Sequence, residues 1–262
     1  MDQTDHDAIR ARAQAQFGPV AQAYVTSSMH ASGADLARVV ALADAQGHEL
    51  ALDVATGGGH MALALAPVVR HVVASDLTLT MLHAARTQIA AQGISNVSYL
   101  RAAAEALPCA PASLDLITCR VAAHHFADVR AFLKASAAAL RPGGRLIIAD
   151  HIGLADPEED AFMDRFERWR DPSHVRAYSF AEWHSFCAAA GLTITHSEED
   201  PREPYQFAAW TARMRMPARE CAALERWLLA APAHMRERFA IVADAGRVVS
   251  LRGIFGIVVA VK

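Results

Sequence analysis

The sequence predicts an α/β fold, a mostly parallel sheet with helices on both faces, and three observations carry that prediction. Short apolar runs alternate with alanine- and leucine-rich helical segments across residues 46–200. The first run breaks into Gly57, Gly58 and Gly59, and acids close three of the runs at Asp53, Asp76 and Asp150. Strict strand–helix alternation implies parallel strands joined by crossovers, covered on both faces. Ligands in such sheets sit at the carboxyl ends of the strands, where the strand order reverses.

Ahead of this core, residues 4–17 read as a helix, 24–33 as an ordered connection and 34–45 as a second helix, so 1–45 is expected to form an N-terminal helical cap. Strands are expected near 49–54, 71–75, 97–101, 114–119 and 145–150, with helices near 59–66, 78–91 and 128–140. After Asp150 the pattern loosens. Asp156-Pro157-Glu158-Glu159-Asp160 opens a helix whose acids suit a solvated first turn. Arg170, His174, Arg176 and Tyr178 end a segment, 152–178, that reads as a lid able to contact an anionic or phenolic substrate. Residues 180–190 read as a helix and 192–198 as a strand, closing a core that spans 46–200. The remainder, 201–262, reads as a helix (218–230) and a long terminal strand (247–261) that completes the sheet in an antiparallel hairpin.

The glycine turn is the chemical signal. Without Cβ atoms the backbone can lie against a ligand and adopt positive φ. Asp76, at the end of the second run, is placed to accept hydrogen bonds from both hydroxyls of a ribose, or simply to cap the helix that follows. Gly57-x-Gly59-x-x-Ala62 can be set on the dinucleotide fingerprint, which keeps an NAD-dependent oxidoreductase as the alternative. Asp53-x-Ala55-x-Gly57-x-Gly59 is the competing register, and an acid inside the turn suits a ligand bearing an ammonium group better than a pyrophosphate.

In that register the segment resembles motif I of the class I S-adenosylmethionine-dependent methyltransferases. Three further stretches resemble the family in order: Ala104-Glu105-Ala106-Leu107-Pro108, Arg120 to Phe126, and Leu140-Arg141-Pro142-Gly143-Gly144. Together with Asp76-Leu77-Thr78 they are most similar to the ubiquinone/menaquinone-biosynthesis C-methyltransferase group and its small bacterial relatives of unassigned substrate. The resemblance implies a Rossmann-like sheet and S-adenosyl-L-methionine as cofactor. It also implies contacts from Asp53, Ala55, Gly57, Gly59, Asp76, Leu77, Ala104, Glu105 and Arg120, with Tyr24 of the cap, and His30 beside it, over the cofactor or acceptor. A non-catalytic cofactor-binding protein on the same scaffold stays open as a further alternative.

Methyl transfer needs in-line alignment and, for a phenol, enol or amine, a group to take the acceptor's proton. Histidine suits that role near neutral pH. His125 is the first candidate, then His124, with Asp150 and His151 across the cleft; adjacent histidines in an extended chain face opposite ways, so one of the pair is expected at the acceptor. The expected acceptor is a small cyclic or aromatic molecule, methylated at carbon or oxygen.

Composition bounds the rest. A chain of 262 residues, 53% hydrophobic with net charge −3, is large enough for one full core plus additions. Its first residues lack a signal-peptide core and no apolar run is long enough for a spanning helix, so a cytoplasmic protein without membrane insertion is expected. Cys109, Cys119, Cys187 and Cys221 form no Cys-x-x-Cys pair and read as reduced thiols, and no metal centre is expected. The basic residues form no stripe, which argues against a nucleic-acid partner; a homodimer stays open.

Overall fold

The computed structural model describes residues 3–21 and 33–262. Helices α1 (Gln3–Phe17) and α2 (Ala34–Ala43) precede a regular alternation: β1 (Leu50–Val54), α3 (His60–Leu65), β2 (His71–Asp76), α4 (Leu79–Ala91), β3 (Val97–Arg101), β4 (Leu114–Arg120), α5 (Val129–Ala139) and β5 (Leu140–His151). Then come α6 (Pro157–Arg170), α7 (Phe180–Ala189) and β6 (Thr193–Asp200). The chain ends with β7 (Tyr205–Gln206), α8 (Phe207–Arg213), α9 (Ala218–Leu229), α10 (Ala233–Arg238), β8 (Val242–Asp244), β9 (Arg247–Leu251) and β10 (Phe255–Val261).

Seven strands form one sheet in the order β3-β2-β1-β4-β5-β10-β6. Strands β1 to β5 pair in parallel, whereas β10 runs antiparallel to both β5 and β6, the predicted closure. The period of two along each strand sorts side chains onto two faces. Leu52, Ile117 and Ile148 join the core under α5 and α7, while Ala51, Leu116 and Ile147 join the one under α2 and α3. Because β1 lies between β2 and β4, the strand order reverses beside β1, and a crevice opens past Val54 and Arg120.

Helix ends follow local chemistry. The Asp128 side chain accepts the N–H groups of Arg130 and Ala131 at the start of α5, and Ser179 and Glu182 form a reciprocal capping box on α7. On α6, Asp156 caps, Pro157 follows, and Glu158, Glu159 and Asp160 fill the first turn, as the acidic run predicted.

Residues 247–261 differ from the single terminal strand predicted. The chain breaks at 252–254, and only β10 of the last 62 residues joins the main sheet. Strand β9 pairs instead with β7 and β8 in a separate three-stranded sheet. Glycine suits the break: a Cβ on Gly253 would lie 3.2 Å from Glu167 Oε1 and 3.3 Å from the Tyr205 hydroxyl. Residues 205–251 thus make a small unit whose core of Trp210, Leu224, Phe239 and Leu251 packs on Phe166 of α6. Each such buried side chain contributes on the order of 2 kcal/mol. Its position makes it one wall of the crevice.

Candidate active site

The turn after β1 is built on unusual backbone. Ala55, Gly57 and Gly59 have φ of 54°, 53° and 86°. A Cβ on Gly59 would lie 2.9 Å from Ala85 Cβ and 3.0 Å from Ile89 Cδ1, so this glycine lets α4 pack against the turn. At Gly57 a Cβ would meet nothing within 4 Å. Its N–H donates to Asp76 Oδ2 at 3.0 Å, while Thr78 N–H donates to Oδ1 at 2.8 Å. Asp76 therefore both ties the turn to β2 and starts α4, and burial raises its pKa.

Two cavities border this turn, and a third adjoins them at Val121. The first is lined by Asp76, Leu77, Ala104 and Glu105, with Arg10 and Phe17 of α1 as its roof. Both oxygens of Glu105 are engaged: Oε1 accepts Ala127 N–H at 2.9 Å, and Oε2 pairs with Arg10 Nε at 3.3 Å. Glu105 thus latches the cap helix down, and Gln14 adds a bond to the Leu77 carbonyl at 3.1 Å.

The second cavity lies on the other side of the turn, against Asp53, Ala55, Gly57, His60 and Arg120. Asp53 is buried; Oδ1 accepts the Thr118 hydroxyl at 2.8 Å, and Oδ2 has no hydrogen-bond partner among the described residues. Burial pushes its pKa up to about 6. Arg120 donates from Nε to Asp35 Oδ2 at 2.5 Å and from Nη2 to Oδ1 at 3.2 Å. Asp35 Oδ2 also accepts Arg202 Nη2 at 2.7 Å, so one buried carboxylate joins β4 to the segment after β6. Burial opposes its charge, but the two guanidiniums outweigh burial and hold its pKa below the usual range.

The third cavity brings together three of the predicted catalytic residues, His124, His125 and His151. Asp150 lies beneath them, buried, and shares a 2.5 Å hydrogen bond with His124 Nδ1. It also accepts the N–H groups of Ala122 and His124, each at 3.2 Å, and of His151 at 2.7 Å. Burial works against a charged His124, yet Asp150 prevails and the pKa of His124 is raised. His125 is the opposite case: burial and the neighbouring His124 push its pKa down to about 4. Its Nδ1 lies 3.0 Å from the Ser173 carbonyl, which it bonds as donor, and its ring meets Phe17 edge-on at 4.9 Å. His151 is buried against Phe255, with Nδ1 3.8 Å from Glu167 Oε1, and burial drives its pKa well down.

The two adjacent histidines were expected to face opposite ways, but their rings lie 4.0 Å apart at the same cavity. They sit in a 3-10 turn, Ala123–His125, where successive side chains are separated by about 120° instead of the 180° of a strand. Of the expected lid cluster, Arg170 lines the third cavity. His174 packs beside His124 at 5.0 Å, Arg176 turns out to Glu182, and Tyr178 packs on Trp183. Tyr24 and His30 lie outside the described residues.

Several residues of the site were not predicted. Glu167 sits with Met163 and Phe166 on the buried face of α6, and Asp35 with Val39 and Ala43 on that of α2. An acid at core spacing in an amphipathic helix is a legible signal for both. Arg202 and Tyr205 carry no such signal. Val121 falls within the Arg120 to Phe126 stretch read from the sequence and lines all three cavities; its backbone was not foreseen, since as a β-branched residue at φ 54° it occupies space that L side chains rarely adopt.

Comparison with known proteins fits this geometry. Residues 52–148 match the family model described as methyltransferase domain. The chain is 36% identical over 202 residues to the uncharacterized methyltransferase YcgJ of Bacillus subtilis (strain 168), covering 77% of this chain and 79% of the relative. The crystal structure of YcgJ superposes with a TM-score of 0.80 at 32% identity, over 87% of this chain and 97% of that one. A Bacillus halodurans C-125 structure described as a methyltransferase gives 0.85 at 35% identity, over 88% and 99%. Over a shorter stretch, 38% of this chain and 41% of the relative, identity to the ubiquinone/menaquinone biosynthesis C-methyltransferase UbiE of Shewanella oneidensis is 36%. These matches decide between the two registers of the glycine turn against the dinucleotide one, and no described helix is long and apolar enough to cross a membrane. With 36% identity over 77% of this chain and 79% of the relative, the protein belongs to the S-adenosylmethionine-dependent methyltransferase family.

Proposed function

We propose that the protein transfers the methyl group of S-adenosylmethionine to a small cyclic or aromatic acceptor, at carbon or oxygen, in the histidine-lined cavity. One observation carries the reading: three cavities of different chemistry meet at Val121, so a group reaching along the glycine turn would present its reactive end to the histidines.

The residues fit the cofactor. Asp53 Oδ2 is a buried carboxylate oxygen without a hydrogen-bond partner among the described residues, and Gly57 faces open space where any Cβ would intrude. Asp76 would accept the ribose hydroxyls, its orientation held by the two N–H groups it already binds. Leu77 and Ala104 would flank the base, with Glu105 at its edge holding the α1 roof; Tyr24 of the cap would close over it. Ala55, Gly57 and Gly59 would supply the smooth backbone, while Asp53 and Arg120 would meet the ammonium and carboxylate of the amino-acid end. An ammonium beside Asp53 would offset the effect of burial and lower that carboxyl's pKa again. When bound, the sulfonium supplies an electrophilic methyl carbon and a good leaving group.

The protein's own task is then alignment and the acceptor's proton. In the neutral tautomer that the hydrogen-bond network favours, His124 gives its Nδ1–H to Asp150, which leaves Nε2 to take a proton. His125, neutral and fixed by Ser173, would orient the acceptor, and His151 would close the far wall. The segment 152–178 would act as the lid, with 1–45 as cap and 201–262 as the acceptor-side wall of a core at 46–200.

Calorimetry with S-adenosylmethionine, with NAD as control, tests the cofactor: NAD binding without S-adenosylmethionine binding overturns the reading. Release of S-adenosylhomocysteine across phenols, quinols, amines and thiols tests turnover. Binding with no turnover across that panel would favour a non-catalytic cofactor protein.

A further inference from the structure

We propose that the methyl acceptor carries a carboxylate, held by Arg170 and Arg202 at the end of the histidine cavity built by the C-terminal unit; this rests on the methyl-transfer reading above. Each guanidinium is fixed over a ring of one aromatic cluster. Arg202 lies over the Phe255 ring at 3.8 Å and Arg170 over Trp210 at 4.9 Å. Between them Tyr205 stacks on Trp210 at 5.5 Å and 9°, and meets Phe255 edge-on at 6.3 Å. All five side chains line the same cavity as His124 and His125.

Both arginines are committed in part and keep donors in reserve. Arg170 gives Nε to the Trp210 carbonyl at 3.2 Å, and its Nη1 is 3.9 Å from Glu167. Arg202 gives Nε to Asp200 at 2.6 Å and Nη2 to Asp35 at 2.7 Å. Arg170 Nη2 and Arg202 Nη1 make no hydrogen bond among the described residues, and a guanidinium anchored through one donor, as Arg170 is, or two, as Arg202 is, presents the rest with little further loss of freedom.

The charge balance points the same way. Asp35 and Asp200 offset Arg120 and Arg202, and Asp150 faces His124. The carboxyl nearest Arg170 belongs to Glu167, which burial pushes up to about 7, so Arg170 is only partly neutralised by it. Asp171, the acid on the cavity wall, is held by the Ser173 hydroxyl at 2.5 Å and the backbone N–H of Ser173 at 2.9 Å, and its charge is shared between His125 at 3.8 Å and Arg170. Burying a cation is costly unless an anion meets it, and a planar anion between two fixed forks is the complement this wall lacks. Tyr205, Trp210 and Phe255 would pack the apolar body that joins the anion to the methylated atom.

The test is calorimetry on the full chain, with and without saturating S-adenosylhomocysteine, using benzoate and 3-phenylpropanoate against their amides and against benzylamine. At least one carboxylate should bind about tenfold or more tightly than its amide, corresponding to 1.4 kcal/mol or more. Arg170→Gln should abolish that preference and Arg170→Lys restore part of it, while affinity for S-adenosylhomocysteine stays unchanged, which shows that the fold is intact. Equal binding of acid and amide, preference for the amine, or no binding by any member overturns the proposal. Carboxylate preference without S-adenosylhomocysteine binding would leave the anion site standing and overturn the methyl-transfer reading instead.

Discussion

His124 Nδ1 and Asp150 Oδ1 lie 2.5 Å apart in a buried pair at the floor of the histidine-lined cavity, and the backbone around them is arranged to keep the carboxylate ionised. Three N–H groups point at Asp150, so the imidazole finds a fixed anion on one nitrogen and an open cavity beyond the other. The relationship makes His124 a better base than His125, although the two are neighbours in sequence and space. Asp150 lifts the pKa of His124, whereas His125 is pushed down to about 4 and is neutral throughout the physiological range.

The first prediction concerns the pH–rate profile. Activity should rise as His124 loses its proton, through a pKa above the ordinary histidine value. In Asp150→Asn the charge that offsets burial is gone, so the acid limb should move to lower pH. The rate at neutral pH should fall about 10²-fold or more, because an asparagine no longer selects the tautomer with Nε2 free. His125→Asn should leave the limb in place. A limb that shifts with His125→Asn and not with Asp150→Asn assigns the base the other way.

Asp76 carries the cofactor prediction. Its carboxylate is fixed by Gly57 and Thr78, so Asp76→Ala removes a ligand acceptor and also frees the turn. Affinity for S-adenosylhomocysteine should drop about 10- to 100-fold by calorimetry, the range expected for losing hydrogen bonds to a charged group. Asp76→Asn should cost less, and an unchanged affinity in Asp76→Ala removes Asp76 from the ribose site.

The two glycines should separate stability from binding. Gly59→Ala drives a Cβ to 2.9 Å from Ala85 at φ 86°, and should lower unfolding free energy by about 2 kcal/mol or more. Gly57→Ala meets no protein atom and should cost only the strain of its positive φ, about 1 kcal/mol. Its new methyl group nevertheless projects into ligand space, so cofactor affinity should fall more than stability does. Thermal melts and calorimetry on the two variants would be read together.

Asp35 predicts acid sensitivity. Its pKa is depressed in the folded chain, so its contribution to stability is present above the unfolded carboxylate value and is lost as pH falls through the lower folded value. Asp35→Asn should remove that contribution at neutral pH and leave Arg120 and Arg202 under-neutralised, for a loss of about 3 kcal/mol. Denaturant titrations at pH 7 and at pH 3 check it: the two proteins should converge in acid.

Much of this arrangement is legible in the sequence, and the failures have physical causes. The β1 run, Asp53 and the glycines are local signals, since an apolar strand ending in a positive-φ turn leaves its mark within a dozen residues. Strands β9 and β10 read as one because β10 is buried on both faces, so no alternation marks where one sheet ends and the other begins. The joint use of His124 and His125 was hidden because it depends on a three-residue turn. The Arg170–Trp210–Tyr205–Phe255–Arg202 cluster joins α6, residues 202–210 and β10, three stretches that only the tertiary fold brings together, and no periodicity foretells it.

Glu167 gives the last prediction, and its sign is opposite to that of Asp35. Burial raises its pKa to about 7, above the value of an unfolded glutamate, so between roughly pH 4.5 and 7 the unfolded chain sheds a proton that the folded chain retains. Folding therefore loses stability as pH rises across that window. Glu167→Gln keeps the shape and removes the titration, so the variant should match the parent near pH 4 and exceed it by about 1–3 kcal/mol at pH 8. The Arg170 guanidinium 3.9 Å away sets the lower end of that range, because it partly repays the ionised form. Unfolding free energies of both proteins between pH 4 and 8 would decide it: a difference that shrinks with rising pH means that the carboxylate is ionised in place and compensated by Arg170, and the charge left over for an incoming anion would shrink with it.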